Sequence, residues 1–194
     1  MTRTQNGKAS ARDLACLFLL MAGCLVGLVI GNLVFHARLI PMTANGIRYL
    51  ADHFSFDLAN YQTLSQFLWA VILSARGDIL FVALIAIALF FKARYGYLFF
   101  LFVCKSFIFG FCGAFIIDSI AFFDSFFAGC LSWVLFFVYH IALFSILLCF
   151  GALTVSWHAK RNMWRYYMTI CGEISLVILL NAIYYFLISI CISK

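Results

Sequence analysis
Two ionisable residues sit where hydrocarbon-loving sequence should exclude them. Lys105 lies inside "LFFLFVCKSFIFGFCGAFII", residues Leu98–Ile117, and Glu173 inside "MTICGEISLV". A lysine at the centre of an apolar span costs about 2.5–3.5 kcal/mol on insertion scales, so it must snorkel or find a partner. Lys105 is nine residues into its run from Gly96, and Glu173 is eight residues beyond Arg165. At 1.5 Å per residue these are depths of about 13 Å and about 12 Å from the same side. Equal depth leads us to expect a buried Lys105–Glu173 pair. Such a pair can fix the registry of two helices, or it can belong to an ion or proton pathway. A pathway needs more polar groups, and His140 in "FFVYHIALF" and Asn181 are the candidates to line it.

Other chemistry finds little footing. No second histidine or carboxylate is spaced to share a metal with His140, which we read as a satisfied core residue. Eight cysteines all fall in apolar runs, with no CxxC pair. Buried thiols of this kind behave as small hydrophobes, so neither a disulfide framework nor a metal site is expected. HExxH, GxSxG and Walker A signatures are missing from the sequence, as are paired carboxylates in a soluble cleft. The expectation is a protein that is not an enzyme and carries no cofactor.

The elements that must hold these residues follow from composition. The chain has 194 residues, 66% hydrophobic and 10% charged, with mean hydropathy +1.09. Soluble domains run at about 45–50% apolar and about 25% charged, so a soluble fold is excluded. The apolar stretches are far longer than the alternating segments of about 10 residues that build a membrane barrel. The fold class is therefore all-α, a polytopic helical membrane bundle with about five transmembrane helices. The spans are expected at residues 14–35, 79–91, 96–117, 126–155 and 167–192. They form a single transmembrane domain, 14–194, behind a basic N-terminus, 1–13. The first run is read as a retained helix rather than a cleaved leader.

Residues 61–75 carry apolar side chains at helical spacing and are expected to form an amphipathic helix, interfacial or re-entrant. Arg76 and Asp78 close it. The second span, 79–91, is short alone, so it either begins within that helix or sits in thinned bilayer. The net charge of +6 does not form a solvated patch for nucleic acid. It lies at the ends of spans. Arg3, Lys8, Arg12, Lys92, Arg94, Lys160, Arg161 and Arg165 fall on one side, eight residues against three for Arg38, Arg48 and Lys194. The positive-inside rule then predicts a cytoplasmic N-terminus and an extracytoplasmic C-terminus in the cell membrane.

Glycines mark the places where helices can touch. Gly23, Gly27 and Gly31 are four apart in the first span, a tandem GxxxG that lines one face with small residues. That face serves either the fold itself or a homo-oligomer. Gly110 and Gly113, three apart, are expected to form a notch on nearly one face of the lysine-bearing helix.

"KSFIFGFCGAFI" resembles the K-G-x3-G-F-x2-G-F element of the stage II sporulation protein M family. Lys105, Gly110, Phe111, Gly113 and Phe115 carry the resemblance, and Ser106 stands where the family has a glycine. The order of elements is also similar: a glycine-rich first span ending in Gly-Asn, an extracytoplasmic stretch, a short span and two long ones. The family's proline-containing element opening the fourth span has no counterpart in "LSWVLFFVYH". The resemblance implies a non-enzymatic membrane scaffold at the division septum. Its role would be to recruit a peptidoglycan-degrading complex, with partners of the sporulation protein D and P type, during engulfment. The connection 37–60 would be the place for such a partner to dock. A small transporter or channel subunit with a Lys–Glu polar pathway is the competing expectation.

Overall fold
The computed structural model describes residues 11–37, 64–119, 126–157 and 163–192. Five α-helices account for nearly all of them: α1 (Ala11–His36), α2 (Leu64–Ile87), α3 (Arg94–Ser119), α4 (Phe126–Ser156) and α5 (Met163–Ile192). Among the described residues there is no strand, and the chain is an all-α helical bundle. Each helix contains a stretch long and apolar enough to cross a membrane, from Leu14–His36 in the first to Met163–Ile188 in the last. The described residues contain no proline, so nothing removes a backbone donor from these helices. The connection beyond Ala37, residues 38–60, the first residues of the N-terminus, Asp124, Lys160, Arg161 and Lys194 lie outside the described residues, as do the first three positions of the 61–75 segment.

One expected boundary dissolves. The amphipathic helix at 61–75 and the span at 79–91 are a single helix, α2, which runs through Arg76, Gly77 and Asp78 and ends in a short 3-10 turn, Ala88–Phe90. The reason is elementary. Thirteen residues cannot cross the hydrocarbon core, which needs roughly 20, whereas the stretch Ser65–Phe90 supplies 26. Phe91 then turns extended, with φ −91° and ψ 139°, and residues 91–93 are all that separate α2 from α3. So short a link sends α3 back in the direction opposite to α2, and the two helices meet through long side chains, Phe81 on Phe102 and Lys105 on Asp78.

The helices are ordered around α4, which touches all four others, while α1 packs chiefly on α3 and α5 lies against α2 and α4. The α1–α3 pair is parallel: Gly23 faces Phe99, Gly27 faces Val103 and Gly31 faces Phe107. On α1 the buried stripe is Cys16, Leu20, Gly23, Gly27 and Gly31, and Phe18, Leu25 and Leu33 point outward. The centre of the bundle is filled by Val82, Ile85, Leu98, Phe102, Leu143, Leu147, Phe150 and Val177. Among the described residues, Cys16, Cys24, Cys104, Cys112, Cys130, Cys149 and Cys171 form no disulfide.

One end of the bundle gathers Lys92, Arg94 and Arg165 with Tyr95, Tyr97, Trp157, Trp164 and Tyr166. There Arg94 Nη1 donates to the Trp157 carbonyl at 3.2 Å. The Tyr166 hydroxyl donates to the Ala86 carbonyl at 3.2 Å and shares a hydrogen bond of the same length with Thr154. These contacts tie the ends of α2, α3, α4 and α5 together.

Candidate functional site
The site is built from the residues that had no apolar reason to be where they are. Lys105 is on α3, about 16 Å from the Arg94 end at 1.5 Å per residue. Its Nζ donates to Asp78 Oδ1 of α2 in a salt bridge. The side chains are 19% and 11% exposed, so the pair is largely withdrawn from the surface. The Tyr139 hydroxyl of α4 donates to the other carboxylate oxygen, Asp78 Oδ2, at 3.0 Å. The Lys105 ammonium also stands 5.7 Å from the centre of the Phe81 ring, which in turn meets Phe102 edge-on at 5.5 Å. One carboxylate therefore collects a cation and a phenol from two other helices, and an aromatic face closes over the cation.

Lys105 thus pairs with Asp78, and not with Glu173 as its depth suggested. The depths were comparable; the neighbours were not. Lys105 is on α3, and α5, which carries Glu173, packs against α2 and α4 instead. Asp78 was hidden by reading Arg76-Gly77-Asp78 as the end of a helix. The signal that could have found it was the short span itself. Extending that span back to membrane length puts an acid in its middle, in reach of the only lysine in α3.

Asn181, on α5, is 3% exposed and interacts with the Tyr139 hydroxyl, while its amide donates to the Val177 carbonyl at 3.1 Å. The Tyr139 ring stacks on Tyr184 with centroids 4.5 Å apart. The polar group of Lys105, Asp78, Tyr139 and Asn181 therefore draws one residue from each of α2, α3, α4 and α5. His140 is the next residue along α4 but faces an aromatic nest. Its ring stacks on Phe109 at 4.6 Å, lies 4.1 Å from the Phe136 ring, and holds Nδ1 2.9 Å from the Phe136 carbonyl. Glu173 lies apart from this group, with Oε2 enclosed and without a hydrogen-bond partner. Of the four residues proposed for a pathway, Lys105 and Asn181 fall in one cluster, His140 is packed among aromatic rings beside Tyr139, and Glu173 Oε2 has no hydrogen-bond partner.

The glycines divide in the same way. A Cβ at Gly27 would overlap the Val103 carbonyl and the Ser106 hydroxyl. At Gly31 it would overlap the Phe107 carbonyl, and at Gly110 the Leu28 carbonyl. At Gly23 it would come within 3.1 Å of the Phe99 ring. These four form the seam along which the α1 and α3 backbones touch, so the tandem motif is used inside the chain. Ser106, buried at the seam, turns its hydroxyl back to the Phe102 carbonyl at 2.6 Å. Gly113 is different: it faces the Phe137 ring of α4 at an ordinary 3.5 Å. Gly110 and Gly113 are therefore not one notch, since three residues turn the helix far enough to face two different neighbours. A small apolar cleft lies between them, walled by Leu28, Phe109, Ala114 and Phe137. Gly151 was not anticipated. It admits α4 against both α1 and α3, with a Cβ there falling 3.1 Å from the Phe102 ring and 3.2 Å from Leu20.

This division makes a prediction. Gly113→Ala should leave stability within about 1 kcal/mol of the parent, because a methyl fits and alanine is the better helix former by about that amount. Gly110→Ala should lower the melting temperature in detergent despite the same gain. Equal behaviour of the two variants would mean that the seam is looser than the geometry requires.

Compared with protein-family models, with curated proteins and with solved structures, the chain matches none.

Proposed function
We propose that the chain is a multi-pass protein of the cell membrane, N-terminus cytoplasmic and C-terminus outside, and that it works as a non-enzymatic scaffold or assembly factor. The resemblance in its third helix suggests the specific form: a protein of the stage II sporulation protein M type that recruits peptidoglycan-remodelling enzymes at the septal membrane during engulfment. One observation carries the scaffold reading. Two mid-helix charges, Lys105 and Asp78, close on each other, and Asp78 also accepts from the Tyr139 hydroxyl. Ionisable groups that satisfy one another between three helices fix how those helices sit. Such buried polar contacts are best attested as devices of registry. The gathering of Lys92, Arg94 and Arg165 at one end of the bundle supports the cytoplasmic assignment of that end.

The transport alternative keeps one observation of its own, the extension of the polar cluster to Asn181 on a fourth helix. Polar side chains inside apolar helices do mark ion and proton routes in other membrane proteins.

The glycine seam cannot test partner binding, because its residues are occupied within the chain. The test is purification of the tagged protein in mild detergent with mass spectrometry of what accompanies it, alongside flux measurements in liposomes. The scaffold reading expects cell-wall hydrolases or their membrane anchors and no flux. An ATP-binding subunit in their place, or ion flux from the protein alone, would overturn it in favour of transport.

A further inference from the structure
Arg76 is a second charge in the middle of a helix, and the Lys105 cluster does not use it. It lies 11 residues from Ser65 and 14 from Phe90, the ends of the apolar stretch of α2. Those separations are about 17 Å and about 21 Å along the axis. Arg76 is exposed, on an outward stripe with Trp69, Leu73 and Leu80, and no described residue forms a hydrogen bond or ion pair with it. An arginine facing hydrocarbon at that depth is costly, and intramembrane charges are found paired or turned toward the interior of an assembly.

The only glutamate of the chain stands at nearly the same level. The Tyr166 hydroxyl on the Ala86 carbonyl fixes how α5 runs antiparallel to α2. From that contact Arg76 is ten residues along α2 and Glu173 seven residues along α5, about 15 Å and about 10 Å, a difference of about one helical turn. Glu173 is half-buried at the edge of the stripe that α5 presents to the bundle. Oε2 is unpartnered, and Cys171, Gly172 and Leu176 beside it are exposed.

We propose that the outward surface of α2 and α5 is the interface of a homodimer, in which Arg76 of each copy pairs with Glu173 of the other. The argument for a second copy is the charge pattern. A twofold axis along the membrane normal preserves depth and exchanges the two patches. Opposite charges at one level on neighbouring helices are then complementary to themselves, twice over. The pairing withdraws Arg76 from lipid and, with the enclosed Glu173 carboxylate turned outward toward the second copy, gives it a partner. The inference rests on the membrane reading and is independent of the scaffold reading.

The experiment is a subunit count in lipid nanodiscs by mass photometry. Wild type is expected as a dimer. Arg76→Glu and Glu173→Arg alone should each weaken association at least about a hundredfold, since each sets like charges opposite one another. Co-expressed, the two variants should form a mixed dimer. Both contacts between copies then join opposite charges, while each copy by itself holds only like charges. That outcome separates the dimer from an Arg76–Glu173 bridge within one chain. A monomeric wild type, single variants that stay dimeric, or a mixture that stays monomeric would overturn the proposal. If neither single variant can be recovered from the membrane, the wild-type count decides. Failure of the wild type to enter nanodiscs at all would refute the membrane reading instead.

Discussion

Asp78→Leu is expected to be among the most damaging single substitutions in the chain, and Lys105→Met in the same molecule is expected to repair most of the damage. With Asp78 gone, Lys105 is a cation enclosed by Phe81 and the neighbouring helices with no counter-charge. Breaking a buried pair by removing one partner costs about 3–5 kcal/mol, whereas replacing both partners by apolar groups of similar volume is often neutral or favourable by about 1–4 kcal/mol. Tyr139→Phe removes only one hydrogen bond to Asp78 Oδ2. Interhelical hydrogen bonds in membranes average about 0.6 kcal/mol, so this variant should be mild. The expected order of melting temperature in detergent is therefore double variant near wild type, Tyr139→Phe slightly below and Asp78→Leu far below. A double variant as unstable as Asp78→Leu would mean that Asp78 acts through contacts other than the lysine. A stable double variant that has also lost its biological activity would point to a role for the charges beyond registry.

The sequence carried the class of fold in full and the pairing of charges only in part. Long apolar runs, their lengths and the absence of alternation are one-dimensional quantities, and they translate directly into five helices. The tandem glycines of α1 were also legible, because a spacing of four is itself a statement about one helix face. What a linear reading lacks is adjacency. Depth along an axis can be counted, and it put Lys105 and Glu173 level; which helix stands beside which cannot be counted, and it assigned Lys105 to Asp78. The same gap split Gly110 from Gly113, whose directions differ by a rotation that matters only once the positions of α1 and α4 are known. Asp78 was obscured by a local signal, Arg-Gly-Asp, that resembles a helix end in water. In an apolar setting the need to satisfy every backbone donor and acceptor outweighs such signals, and the helix continues.

The second large effect concerns Gly27. α1 is held to the bundle mainly along α3, with α4 a lesser support near Leu20 and Gly151. Between helices in lipid the hydrophobic effect offers no drive, so close van der Waals contact must do the work. At Gly27 that contact is backbone against backbone, since the nearest atoms are the Val103 carbonyl, the Ser106 hydroxyl and the Phe107 amide. None of these can rotate aside except the hydroxyl. Gly27→Leu should therefore force α1 and α3 apart and cost about 3 kcal/mol, the upper end for overpacking. Gly27→Ala should already be destabilising, although alanine favours the helix by about 1 kcal/mol over glycine. Gly23→Ala should be milder, because its neighbour is a Phe99 ring that can shift. Gly96→Ala is the control: nothing lies within 4 Å of its added methyl, so stability should hold or rise. Melting temperatures of the four variants in one detergent decide the matter. Should Gly27→Ala behave like Gly96→Ala, α1 would not be seated on α3 at this register, and the parallel seam of Gly23, Gly27, Gly31 and Gly110 would have to be given up as a whole. Those four positions stand or fall together, because one helix cannot approach another at a single residue without the same approach one turn above and below.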